Sequence, residues 1–392
     1  MSAEPLAMDV VMVGCGLVGA PLALALADAG YRVLTLDKST PEPLPEHRLD
    51  QRCTALSAST ESILSHWGLW HSVSAIATPI KSVHVSQKGY FGVTRLQAEE
   101  QQVTSLGHVI ENRRYQHLLT ERLERSSVEQ LMPARFISMA STPASCTVAY
   151  QYGEQQQSVQ AKLVIAVDGV GSAVREAAGI SSTQYDYDQH ALLTTVQLNQ
   201  SHRHVAYERF TECGPLAVLP SYEQTASVVC CLDGEQMTKV GQMDDVDLLA
   251  YLQKQFGWRL GRWEAVGQRV LLPLIRMEAD CQHAGRVVLL GNALRLLHPV
   301  AGQGYNLAMR DASALLSHLD PKDPGDPALL SAFAEARQSD QQKVVQLTDT
   351  LARVFRGRQP VMGHLRALGL LGLDTVSPLR NQFAHKALGF TR

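Results

Sequence analysis

Glycine, aspartate and asparagine cluster at three places in this chain, each directly after an apolar run. The first is Gly14-Cys15-Gly16-Leu17-Val18-Gly19, which follows Asp9-Val10-Val11-Met12-Val13 and is answered by Asp37 at the end of the next apolar run. Glycines so spaced let the backbone approach a diphosphate, the following helix start offers N–H donors, and a carboxylate roughly twenty residues on can accept ribose hydroxyls. The second cluster is Asp168-Gly169-Val170-Gly171-Ser172-Ala173-Val174-Arg175. It reads equally as an ordinary strand-turn-helix junction with Asp168 as a cap and as part of a site. The third is Gly291-Asn292, followed by His298-Pro299-Val300-Ala301-Gly302-Gln303-Gly304-Tyr305-Asn306. Helix-start amides in that glycine-rich loop would point at an anion. Glycine-rich turns this far apart suggest one large cofactor gripped from more than one side.

Other side chains are candidates for chemistry on the substrate. His298 titrates near neutrality and is a candidate acid-base group beside Pro299, although it could equally shape the loop. Glu208 and Arg209 either line a substrate pocket or form a solvated pair on a strand. Tyr305 could stack on a ring or simply pack.

These groups need elements to position them. The periodicity predicts a strand to Val13, a helix to Ala29 stopped by Gly30, and a strand Tyr31 to Leu36. Ser57 to Trp70 reads as a helix ending at Gly68, and alternation between Ile80 and Val109 as short strands. Asn112 to Glu124 is an amphipathic helix, and Leu163 to Val167 is apolar throughout, as a strand buried on both faces would be. Strand signals dominate from Ala191 to Arg276, interrupted by a helix over Asp245 to Phe256. A core strand Arg286 to Leu290, a helix Asn306 to Leu319, a linker Asp320 to Pro327 and a long helix Ala328 to Phe355 follow.

Composition sets bounds. At 392 residues the chain is long enough for two domains, and a net charge of −3 gives no reason to propose nucleic acid as a partner. Seven cysteines without a CxxC pair argue against a disulfide framework and against a zinc site, and a reducing cytoplasm is the simplest compartment. Adjacent Cys230 and Cys231 in a strand would point to opposite faces. The uncharged stretch Val10 to Ala27 is broken by Gly14, Gly16, Gly19 and Pro21 and preceded by acids, which weighs against a membrane span. From Arg353 onward seven Lys/Arg face the single acid Asp374.

Together the three ordered motifs resemble the group A flavoprotein monooxygenases, the para-hydroxybenzoate hydroxylase-like enzymes. The resemblance implies an α/β fold: a Rossmann-like FAD-binding domain with an inserted β-rich substrate domain and a C-terminal helical segment. The expected boundaries are 1–75, 105–182 and 271–327 for the FAD domain, 76–104 and 183–270 for the β-rich domain, and 328–392 for the C-terminal segment. By the same likeness Gly14, Gly16, Gly19, Asp37 and Lys38 hold the ADP half of FAD, and Arg52 is the family arginine near the cofactor. Asp168 and Gly169 belong to the motif tied to both FAD and NAD(P)H. Gly291 and Asn292 meet the ribitol, and Gly302, Gln303, Gly304, Tyr305 and Asn306 meet the flavin ring. Asn292 departs from the family's aspartate; its amide can still accept from a hydroxyl, with a contact weaker by on the order of 1 kcal/mol. Arg295 stands where histidine is common.

Within the family, the run from His298 to Leu307 is most similar to the ubiquinone-biosynthesis hydroxylases. Stretches at Pro79–Ser86, Leu106–Glu111, Glu208–Thr211 and Gly214–Pro220 are similar to the 2-polyprenyl-6-methoxyphenol hydroxylase subgroup. The implied reaction uses NAD(P)H to reduce FAD, adds O₂ and hydroxylates a polyprenylated phenol through a flavin hydroperoxide, with no metal. A sister ring hydroxylase of the same pathway, a flavin-dependent reductase or halogenase, and a non-catalytic component of a biosynthetic assembly are the alternatives. The halogenase Trp-x-Trp-x-Ile-Pro motif is absent. For the basic C-terminal segment two readings stand: a helical arm packed on the protein, or an interfacial helix meeting anionic lipid at the inner face of the plasma membrane. Association with other quinone-biosynthesis proteins is a further expectation.

Overall fold

The structure, a computed structural model, describes residues 6–45, 49, 52–354 and 360–375. Among the described residues one sheet has eight strands, centred on Leu6–Val13. That strand lies parallel between Val33–Leu36 and Gln155–Ala166, with Glu129–Leu131 and Val287–Leu289 parallel beyond them. Alternate residues of these strands enter two separate cores. Val10, Met12, Leu163 and Ile165 pack under helices Gly19–Asp28, Asn112–Glu124 and Gln303–His318, while Val11, Val13, Val164 and Ala166 pack on the opposite face against Phe136, Val148 and Tyr150. A strand covered on both sides must be apolar throughout, which is the pattern at Leu163–Val167.

A second sheet has nine strands and is antiparallel, except where Val205–Thr211 runs parallel to Ser82–Gln87. Its outer face carries Leu192, Val196, Val218, Val228 and Cys230 under the helix Asp245–Phe256. Cys231 turns to the other side and joins Tyr187 and Leu274, so the two adjacent thiols do part company, and all seven cysteines are free. A small sheet of Cys53–Ser57, Gly107–Glu111 and Ala77–Ile80 bridges the two.

Two expected boundaries shift. The strand Val270–Ala279 pairs along its length with Ser182–Leu198, so the division expected at 271 falls inside the second sheet. The helix Pro327–Val354 is no separate appendage, because Leu330 and Phe333 are in the first core and Ala352 reaches the cluster of Tyr187 and Leu274. The predicted helix over Ser57–Trp70 splits into Ala58–His66 and Trp70–Ser74, with the hydroxyl of Ser57 accepting from Thr60 N as an N-cap. Helix Gly234–Gln242 is a second interruption of the strand-rich stretch, where one was expected, and strand Ala134–Ser141 is an addition to the first sheet.

The helix Pro360–Thr375 packs on the edge of the second sheet, where Thr94 Oγ1 donates to Leu370 O at 2.7 Å and Gly92 fits against the backbone of Ala367. Ala367 and Leu370 are buried and Leu368 is exposed, so this part of the basic segment is a packed arm. Arg356, Arg358 and everything beyond Thr375 lie outside the described residues. Among the described residues no helix is long and apolar enough to cross a membrane, and no His/Cys/Asp/Glu group could hold a metal ion.

Candidate active site

The three glycine-rich motifs meet because the strands that precede them end in one row. Register aligns Leu36, Val13, Ala166 and Leu289 across four neighbouring parallel strands. Asp37, Gly14, Val167-Asp168 and Leu290-Gly291 are therefore side by side at the carboxyl edge of the sheet, where open α/β sheets hold their ligands. Backbone bonds hold the row: Gly14 N donates to Leu36 O at 2.8 Å, Val167 N to Val13 O at 2.8 Å, and Leu290 N to Ala166 O at 2.9 Å.

Each residue of the row has a distinct job. Gly14 has φ +101°, and a Cβ there would run into the carbonyl of Val167. Gly19 is equally confined by the carbonyl of Gly14, whereas a Cβ on Gly16 would meet nothing within 4 Å. Gly14 and Gly19 thus pack the turn, and Gly16 borders open space. Asp37 Oδ2 accepts from Cys15 N at 2.7 Å, and its Oδ1 accepts from Ser39 N at 3.0 Å, which fixes the carboxylate at the mouth of the turn. Lys38 and Arg52 are exposed at the flanks. Gln116, on the helix Asn112–Glu124, donates to Cys15 O at 3.0 Å and clamps the turn from outside.

At the second motif Asp168 Oδ2 accepts from Val174 N at 3.4 Å, while its buried Oδ1 has no partner among the described residues. Ser172, not Asp168, is the N-cap of the helix Ala173–Ala177. Arg175 is buried and ties the second motif to the third, donating to Val170 O at 2.8 Å and Ala293 O at 2.9 Å. Gly291 has φ +56°, and Asn292 beside it is exposed. Arg295 pairs with Glu278 at 3.4 Å across two strands.

The loop of the third motif enters the helix Gln303–His318 through Gly302, which has φ +58° and supplies no side-chain cap. The helix Gly19–Asp28 likewise has no side-chain cap. Helices starting at Ala58, Ala173, Gly234 and Asp245 are all capped by a Ser or Asp. Two uncapped helix starts, an open glycine and an orphaned carboxylate oxygen at one sheet edge fit a dinucleotide with an anionic middle.

Three expected site residues are otherwise employed. Asn306 is a clamp: its Oδ1 accepts from Ser57 N at 2.8 Å and Thr60 Oγ1 at 2.7 Å, and its Nδ2 donates to Ala55 O and Gly302 O. Its amide has nothing left for a ligand. Tyr305 packs edge-on to Tyr115, its hydroxyl 3.0 Å from that of Tyr115 and 3.3 Å from Leu17 O, and burial pushes its pKa far up. His298 is buried, with Nδ1 accepting from Val300 N at 3.2 Å and the ring edge-on to Tyr187. Burial pushes the imidazole down to about 4, with Asp349 only partly opposing it. The ring is absent from the cavity wall that Pro299 and Val300 do line, and its bond to Val300 N shapes the loop.

Above the third motif opens a cavity of about 560 Å³. One end is formed by the loop from Pro299 to Asn306, the other by the inner face of the second sheet, with Leu370 of the C-terminal helix in the wall. The wall is mainly aliphatic, and among the described residues its single carboxylate belongs to Glu208, which burial pushes up to about 7.

The comparisons with known proteins agree with this geometry. The model of the family described as "FAD binding domain" matches residues 7–348. Ubiquinone hydroxylase UbiL of Rhodospirillum rubrum is 33% identical over 97% of this chain and 89% of its own length. The 3-demethoxyubiquinol 3-hydroxylase of Escherichia coli is 29% identical over 97% of this chain and 98% of its own. Human ubiquinone biosynthesis monooxygenase COQ6 is 28% identical over 95% and 91%. Among solved structures, p-nitrophenol 4-monooxygenase PnpA of Pseudomonas putida superposes with a TM-score of 0.82 at 18% identity, covering 99% of this chain and 100% of its own, which speaks for the fold alone.

Proposed function

This chain belongs to the FAD-binding-domain family and, within it, to the ubiquinone-biosynthesis hydroxylases, and from that premise we propose that its substrate is a polyprenylated phenol of the 2-polyprenyl-6-methoxyphenol type. The enzyme is an FAD-dependent monooxygenase with NAD(P)H as co-substrate. The oxygen-activating chemistry comes from FAD once it is bound and reduced by NAD(P)H. The chain itself binds, orients and excludes water. Gly14, Gly16, Gly19 and Asp37 would hold the ADP half, Gly291 and Asn292 the ribitol, and the loop Gly302-Gln303-Gly304, at the positive end of the helix it starts, the pyrimidine side of the flavin ring, where negative charge accumulates on reduction. Asp168 and Gly169, between the two, would complete the cradle, flanked by Lys38 and Arg52.

One observation carries the choice of substrate: the aliphatic cavity that leads from the Pro299–Asn306 loop to the second sheet. A small polar phenol would leave most of such a wall unfilled, while a prenyl tail would cover it. The substrate's lipid character also favours peripheral contact with a membrane, with the exposed Leu368 and Leu371 of the C-terminal helix as the contacting face.

The test offers holoenzyme 2-geranyl-6-methoxyphenol with NAD(P)H under ¹⁸O₂. Stimulated NAD(P)H oxidation with one labelled oxygen on the ring is expected. If that phenol stays unlabelled while a methylated methoxybenzoquinol is hydroxylated, the sister reaction replaces this one.

A further inference from the structure

Glu208 is an acid in an aliphatic wall. Strand register lines up Val85, Glu208, Ala217, Val229 and Leu193 in one row across five strands, and all five face the cavity. Sheet packing would be served by a fifth aliphatic side chain at that point. The carboxyl Oε1 is instead shut off from solvent with no hydrogen-bond partner among the described residues. Leaving a buried acceptor unpaired costs stability, and such a group calls for a partner the protein does not itself contain. Among the described residues no cation pairs with this oxygen, and Arg209, next in the chain, donates to Gln255 O at 3.2 Å. The titratable groups that share the wall, Cys53, Tyr207 and Tyr305, and Cys231 beside Glu208, are all held neutral by burial.

We propose that Glu208 recognises the phenol: its carboxylate accepts a hydrogen bond from the hydroxyl and turns the ring toward the Pro299–Asn306 end of the cavity. This rests on the hydroxylation reading above and names the group that gives the ring its orientation. A hydrogen bond to an ionised acceptor in a dry site is stronger than a neutral one, and it draws the O–H bond toward phenolate, enriching the ring in electrons. A ligand without the hydroxyl would leave Glu208 buried and unpaired, so the site should reject it.

The experiment measures binding to holoenzyme by calorimetry, using 2-geranyl-6-methoxyphenol and its O-methyl ether. Wild type is expected to prefer the phenol by about ten-fold or more. Because the acid ionises near 7, the preference should grow as pH rises from 6 to 8. Glu208→Gln, which keeps shape and volume, should retain FAD at the wild-type ratio, show a smaller preference and lose its pH dependence; Glu208→Ala should lose the preference. An unchanged preference and pH profile in both variants overturns the assignment. Wild type that binds with this preference but forms no hydroxylated ring would sink the hydroxylation reading and leave the recognition by Glu208 standing.

Discussion

Gly14 and Gly16 are two residues apart and do different work. A side chain at Gly14 meets the Val167 carbonyl and a φ of +101°, whereas one at Gly16 meets no protein atom within 4 Å. Gly14→Val should therefore unfold the sheet edge, while Gly16→Val should fold and melt like flavin-free wild type yet carry no flavin. Absorbance of bound flavin per chain, set beside the thermal midpoint, separates the two; equal flavin in wild type and Gly16→Val would contradict the placement of the diphosphate. Spacing alone made both glycines legible, because the strand-turn-helix context needs only local pattern. It could not divide the labour between them, since the clash partner at Gly14 is about 150 residues away in sequence. The contacts of the Asn306 side chain were hidden for the same reason. As part of a glycine-rich loop it reads as a ligand contact, but its amide is consumed by Ser57, Thr60, Ala55 and Gly302, most of them some 250 positions earlier. Arg175 carried a visible signal, a lone cation just after an Asp-Gly turn, whose role as a tie between two motifs needed the fold.

The elements that aim these residues depend on one charged seam. The helix Gln303–His318, whose first turn faces the cofactor edge, is locked to Pro327–Val354 by Asp311, Arg337, Asp340 and Arg310. Arg337 Nε donates to Asp311 Oδ1 at 2.7 Å and Arg310 Nε to Asp340 Oδ2 at 2.9 Å, with Arg337 also paired to Asp340. Asp311 is almost wholly buried, and burial raises its pKa against the pull of Arg337. Arg337→Ala would remove that carboxylate's ion-pair partner and leave it the hydrogen bond of Gln341, and breaking a buried pair from one side costs on the order of 3 kcal/mol or more. Denaturant melts should show the loss, with FAD dissociating earlier because the helix start at Gln303 loosens first. A variant as stable as wild type would mean that the seam is solvated. Helices such as Asn112–Glu124 and Asp245–Phe256 were legible to the residue because their apolar stripes repeat at the helical period. The strand Ser182–Leu198 was legible only in its second half, because its first half alternates among exposed polar residues and is held by pairing with Val270–Ala279.

At the scale of the molecule, the substrate cavity belongs to no single stretch of sequence. Its wall combines residues of the bridging sheet, the inner face of the second sheet, the Pro299–Asn306 loop and Leu370, which a composition scan spreads over nearly the whole chain. That is why the glycine-rich turns could be placed after their strands in advance, while the cavity wall offered only a pair of suggestive residues, Glu208 and Arg209. The apolar wall has a measurable consequence. With the phenol end fixed, each isoprene unit added to the ring should bury more aliphatic wall and tighten binding several-fold, until the tail fills the cavity and affinity levels off. A series of 2-prenyl-6-methoxyphenols from one to four units, titrated against holoenzyme, measures that slope. Leu370→Asp, which puts a charge into the wall, should flatten it by making further burial compete with desolvation of the carboxylate. If affinity ignores tail length in wild type, or climbs equally steeply in the variant, the tail lies outside the cavity and the helix Pro360–Thr375 is no part of the substrate site.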